Sequence, residues 1–82
     1  MILIQERLIK IFIENLNKEE VDLNKSFIDA GIDELDKAEA MMRSEDEFGV
    51  EISDLESDQI FTIQELVECI NQKLEAKKKH QP

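Results

Sequence analysis

Tryptophan and tyrosine are absent from this 82-residue chain, glycine occurs twice, and the single proline is the last residue. A sheet protein of this size needs aromatic and β-branched strands punctuated by turn residues, so the shortage of both points to helices. One cysteine, Cys69, excludes an intramolecular disulfide, and nothing indicates an oxidising compartment. No apolar run approaches the roughly 18 residues of a membrane span. Met1-Ile2-Leu3-Ile4 gives way at once to Gln5-Glu6-Arg7 and is too short for the apolar segment of a signal peptide. A cytoplasmic chain is expected, and a mature organellar form fits as well.

Basic residues are also scarce, 10 against 20 acidic ones, for a formal charge of −10. Three of the ten are Lys77, Lys78 and Lys79, so residues 1–76 carry 20 acids against 7 bases, or −13. Phosphate backbones and anionic lipid surfaces repel such a body, which excludes nucleic acid and favours protein partners displaying Arg and Lys. Hydrophobic residues make up 41% and charged residues 37%, too apolar for a disordered chain. A length of 82 residues gives one small domain with a modest core.

Apolar spacing places the helices. Ile4, Leu8, Ile11, Phe12 and Leu16 share one face, widened by Ile9 and Ile13, which predicts a helix over about residues 3–16. Residues 17–32 lack sustained periodicity and form a long loop, with Val21, Leu23, Phe27 and Ile28 as its expected anchors in the core. A connection that long is usually functional in a compact domain. Asp33 is a good N-cap for a second helix ending near Phe48, with Glu34 and Asp36 in the first turn where the helix dipole favours them. Gly49 suits the position after that helix. Ser53-Asp54-Leu55-Glu56 and Thr62-Ile63-Gln64-Glu65 are two capping boxes, opening a short third helix and a fourth. In the fourth, Ile63, Leu66, Val67, Ile70 and Leu74 form the apolar stripe. Residues 77–82 form a basic tail expected to fray after a domain spanning 1–76.

The segment Phe27-Ile28-Asp29-Ala30-Gly31-Ile32-Asp33-Glu34-Leu35-Asp36 resembles a stretch of the acyl carrier proteins that reads roughly F-x-x-L-G-x-D-S-L-D. Downstream, Glu45-Asp46-Glu47-Phe48-Gly49-Val50-Glu51-Ile52 is similar to that family's E-[DE]-E-F-G-[VI]-E-I, and Ile60-Phe61-Thr62-Ile63-Gln64-Glu65-Leu66 to its I-x-T-V-x-[DE]-L/A. The ordered set spans about residues 3–75. The resemblance implies an all-α fold, a small acyl-carrier-like four-helix bundle of three long helices and one short one with a long first loop, and a role as carrier rather than enzyme in fatty-acid, lipid or polyketide-type metabolism. In that family the Ser of D-S-L carries 4′-phosphopantetheine. Glu34 stands at that position and has no hydroxyl to esterify, so no cofactor is expected on the chain as written.

The resemblance also assigns partner docking to the second helix, at Asp33, Leu35, Asp36, Glu39, Met42, Glu45 and Asp46. Leu35 and Met42 would be apolar residues inside a ring of acids, as docking patches require. The expected partners are basic surfaces of acyl-transfer or synthase enzymes, with the chain a monomer when alone. Candidates for an acyl pocket are Phe27, Ile28, Ser44, Phe48, Ile52 and Ile60. Ser44 and Ala30 stand where the family has larger apolar residues. A buried Ser44 hydroxyl needs a partner such as the Ala40 carbonyl, and replacing it with Leu is expected to stabilise the fold by about 1–2 kcal/mol.

Two alternatives remain open: a non-carrier structural or regulatory subunit clamping a basic helical partner, and an engineered, unmodifiable form of a true carrier. Neither the 29–40 nor the 54–65 window supplies an EF-hand ligand pattern, so no metal site is expected. Cys69 beside an apolar stripe reads as an inert packed thiol, and His80, the one histidine, as a bystander. Without a Ser/His/Asp set, a Cys/His ligand spacing or a Gly-rich phosphate loop, the chain carries no catalytic constellation.

Overall fold

A computed structural model describes residues 4–16 and 20–79. Within them the chain forms α1 (Ile4–Leu16), α2 (Glu34–Phe48), the short α3 (Asp54–Asp58) and α4 (Ile63–Lys79). Among the described residues there is no strand, only an isolated bridge between Ser26 and Thr62. The expected all-α bundle is what forms. Leu3, at the expected start of the first helix, lies outside the described residues, as do loop residues 17–19 and His80.

Each helix boundary has a local chemical cause. Asp33 Oδ1 accepts from Asp36 N–H at 2.8 Å and caps α2, whose other end closes on Gly49 at φ +66°, a left-handed conformation that a Cβ would strain. Ser53 and Glu56 form a reciprocal capping box at α3. At α4, Thr62 Oγ1 accepts from Glu65 N–H at 3.0 Å, while Glu65 Oε1 accepts from the N–H groups of Phe61 and Thr62.

The core is drawn from every element except α3, which buries no residue. Leu8, Ile11 and Phe12 of α1 meet Ala40 and Met41 of α2 and Ile63, Leu66 and Ile70 of α4, and Val50 and Ile60 are buried in the connections. Phe12 and Phe27 stack with centroids 5.6 Å apart and planes 6° from parallel, which ties the long loop to α1. Leu23 O and Phe61 O accept from Gln64 and Phe27 N–H groups, joining the same loop to the start of α4.

Two expectations about this framework are corrected. Ile28 is not a core anchor, being 82% exposed, and Ile32 is buried in its place. The cause is the turn that follows Phe27: Ile32 N–H returns to Phe27 O at 2.8 Å, with Gly31 at φ +76°, so Ile28 sits on the outside of the bend. Nor does the chain fray at residue 77. α4 continues to Lys79, and Lys77 Nζ donates to Gly49 O, placing a cation against the C-terminal end of α2.

α3 is held largely by polar contacts. Lys37 Nζ on α2 donates to Ser57 O at 2.8 Å, and Lys73 Nζ on α4 pairs with Glu56 at 2.8 Å. The Lys73 ammonium, helped by the Ser53 N–H, lowers the Glu56 carboxyl from 4.5 to about 2. A depressed carboxyl contributes stability that is present above its unfolded value and lost as the pH falls through its folded one. Because Glu56 is partly exposed, that contribution is roughly 1 kcal/mol or less. Glu56→Gln should therefore be less stable than the parent at pH 7 in urea unfolding, with the gap closing as the pH falls from 4.5 toward 2. A gap of constant size across that window would assign the loss to packing rather than to charge.

Ser44 is fully buried, and its Oγ donates to Ala40 O at 2.7 Å. That hydroxyl is satisfied and the residue is fully enclosed, so a Leu there has to displace its neighbours, which reverses the stability expected of it. Overpacking should make Ser44→Leu less stable by about 1–3 kcal/mol, while Ser44→Ala should fall within about 0.5 kcal/mol of the parent, because Ala40 O keeps its helical bond. Urea melts of the two variants check the order. A stabilised Leu variant would show that the α2 face has room to relax.

Candidate functional site

The N-terminal end of α2 is the most chemically varied surface of the molecule. Asp33 and Glu34 are exposed, and Leu35 is 77% exposed beside them. Asp36 is half-buried. Asp33, Glu34 and Lys37 face Phe27, Ile28, Ile32, Asp58 and Phe61 across a cleft of about 120 Å³. The hydrogen bond from Phe27 N–H to Phe61 O brings Phe61 to this place from far along the sequence.

Lys37 organises the cleft. Its ammonium lies 5.5 Å from the Phe27 ring centroid and 5.9 Å from that of Phe61 while donating to Ser57 O. The sequence pattern singles out neither Lys37 nor Asp58, and Phe61 stands in it only as part of the Ile60–Leu66 stretch.

Further along α2, Glu39 and Asp46 are exposed and Met42 is 63% exposed, so these three share the open surface with Leu35. Glu45 differs from them. It is half-buried, and its Oε2 accepts from Ile52 N–H at 2.8 Å, fastening the connection that leads to α3. Glu47 pairs with Arg7 of α1, whose guanidinium also lies 5.3 Å from the Phe48 ring centroid. Part of the acidic run of α2 is thus committed inside the molecule.

The six residues expected around an acyl chain do not share one environment. Phe27, Ser44 and Ile60 are buried, Phe48 and Ile52 are half-buried against the core, and Ile28 is on the surface beside the cleft. Elsewhere, burial and the Glu56 charge push the Cys69 thiol up, which disfavours the reactive thiolate. Among the described residues no three His, Cys, Asp or Glu side chains are grouped to hold a metal ion, and no helix is long and apolar enough to cross a membrane.

The sequence stretch that builds this site lies inside a match to known proteins. The family model described as a phosphopantetheine attachment site matches residues 6–70. Acyl carrier proteins of Buchnera aphidicola subsp. Acyrthosiphon pisum, from strains Tuc7 and APS, are each 42% identical over 73 residues, covering 85% of this chain and 91% of theirs. Four helices in this order, together with a match that runs through the α2 start, place the chain in the acyl carrier protein family.

Proposed function

We propose that this protein docks the basic surfaces of acyl-transfer or synthase enzymes through α2 and bears no 4′-phosphopantetheine of its own. The observation that carries the second half is Glu34. It follows the Asp33 cap and is exposed in the first turn of α2, in the D-x-L-D frame where the family's attachment Ser stands. A carboxylate there has no hydroxyl, and a carboxyl–phosphate anhydride would be hydrolytically labile. Glu34 suits the helix start by its charge alone, so the fold does not require a hydroxyl at that position.

Docking is supported by the composition of the exposed α2 surface. Leu35 and Met42 present apolar area between Glu39, Asp46 and the acids of the first turn. Such a surface combines steering by charge with a desolvated contact. The carrier arm plays no part in that contact, so the same surface serves a subunit that grips a basic helix without transferring acyl groups.

Two measurements test this. Incubated with coenzyme A and a broad phosphopantetheinyl transferase, the parent should show no phosphopantetheine mass increase, and Glu34→Ser should show one. Modification of the parent on any residue would refute the reading of Glu34. For docking, Glu39→Lys and Asp46→Lys should slow association with an acyl-carrier-dependent synthase about tenfold at low salt, and less at high salt, where charges beyond about 8–10 Å are screened. Glu14→Lys on α1 makes the same charge change at another exposed site and is the control. Equal slowing by all three would assign the effect to overall charge. Glu45→Lys belongs outside the set because it also removes the Ile52 contact.

A further inference from the structure

Among the described residues, three exposed large apolar side chains lie outside α2: Ile28, Leu55 and Phe61. Ile28 is 82% and Phe61 54% exposed, and the hydrogen bond from Phe27 N–H to Phe61 O together with the Ser26–Thr62 bridge holds their segments side by side. The cleft they line with Phe27 and Ile32 has a volume of about 120 Å³, equivalent to about four waters at their liquid volume and so on the scale of one aliphatic side chain. Its charged lining is Asp33, Glu34 and Asp58 against Lys37. Three carboxylates against one ammonium leave the lining net negative, and the Lys37 ammonium is turned toward Ser57 O and the two phenylalanine rings.

Apolar area left in water this close to carboxylates is a recognition signature rather than a packing defect. Ile28 and Phe61 stand where each could have turned polar without disturbing the core, since neither contributes to it. The negative rim disfavours anionic ligands and complements a positively charged one.

We propose that this cleft is a second anchoring point for a partner protein, seating one apolar side chain of a basic amphipathic helix between Ile28 and Phe61 while its flanking Arg or Lys residues meet Asp33, Glu34 and Asp58. The proposal rests on the reading of α2 as a docking helix and shares the acids at its start, but its apolar anchors, Ile28 and Phe61, lie outside that helix. Anchors of this kind, an apolar side chain in a small pocket ringed by charge, carry a large share of the binding energy in interfaces.

The test uses a fluorescein-labelled 18-residue peptide with leucines on one helical face and arginines elsewhere, titrated into the full chain and followed by anisotropy. The parent should bind it, and Ile28→Ser and Phe61→Ser should each weaken binding about fivefold or more. Ile28→Ser is the safer of the two, since a side chain so exposed has little bearing on folding, and thermal melts confirm that both variants stay folded. A peptide with its leucines replaced by glutamine keeps the charge and should no longer distinguish the parent from Ile28→Ser.

Failure of the parent to bind, or binding unchanged in both Ser variants, overturns the proposal. So does Phe61-dependent binding of the parent to phosphatidylcholine vesicles, which would make the patch a membrane contact. Glu39→Lys and Asp46→Lys separate the two readings. If only they weaken the peptide, docking along α2 stands and the cleft fails. If only the Ser variants do, the cleft stands and the α2 face fails.

Discussion

Phe27 is the contact on which the functional end of this molecule depends. Its ring stacks on Phe12, its N–H bonds to Phe61 O, and its carbonyl accepts the Ile32 N–H that closes the turn before α2. Those three bonds set the distance and direction from which Asp33 begins the helix. The Lys37 ammonium then lies near both Phe27 and Phe61 on its way to Ser57 O. A loop of this length would otherwise be free to wander, because few of its residues are buried. Removing the Phe27 ring would therefore do more than leave a cavity of the kind that costs about 3–5 kcal/mol. It would release the segment that positions the first turn of α2.

The helix boundaries were legible because their causes are local. A cap needs one side chain and a backbone N–H two or three residues away, and Asp33, Ser53 and Thr62 all satisfy that within their own turn. Ser44 was legible for the same reason: its partner, Ala40 O, is one turn back on the same helix. Ile28 was not. Spacing alone makes it as good an anchor as Ile32, and the choice between them is made by a turn whose closing hydrogen bond leaves only one of them inward. Lys77 was missed for a related reason, since its partner carbonyl at Gly49 is 28 residues away in the sequence. Of the site, the α2 residues could be read from the chain, but the neighbours supplied by Asp58 and Phe61 could not.

Charge on α2 runs against the helix dipole at one end. Glu45, Asp46 and Glu47 occupy its last turn, where negative charge is disfavoured, and that turn holds no basic residue. Compensation comes from other elements: Arg7 of α1 pairs with Glu47, and Lys77 of α4 donates to Gly49 O. Glu45 is occupied by Ile52 N–H. The acidic run that looks uniform in sequence is therefore divided in the fold. Glu45 and Glu47 help hold the bundle together, while Glu34, Glu39 and Asp46 stay on the open surface.

The same division makes α3 the element most sensitive to solution conditions. It buries no side chain, Leu55 is 72% exposed, and its position is set by its capping box and the two lysines that reach it. Contacts between partly exposed charges weaken with salt, whereas the stacked and buried contacts of α1, α4 and Phe27 do not. Asp58 and Phe61, which complete the cleft opposite α2, lie at the end of α3 and just beyond it. Raising ionic strength thus acts twice on the front of the molecule. It screens the carboxylates that face a partner, and it weakens the Lys73–Glu56 ion pair that helps hold α3. The bond from Lys37 to the neutral Ser57 carbonyl is not an ion pair to be screened. The core behind that wall keeps its packing, and the backbone bond from Phe27 to Phe61 O keeps its place, so salt acts on the Glu56 side of α3 and on the surface carboxylates rather than on the apolar body.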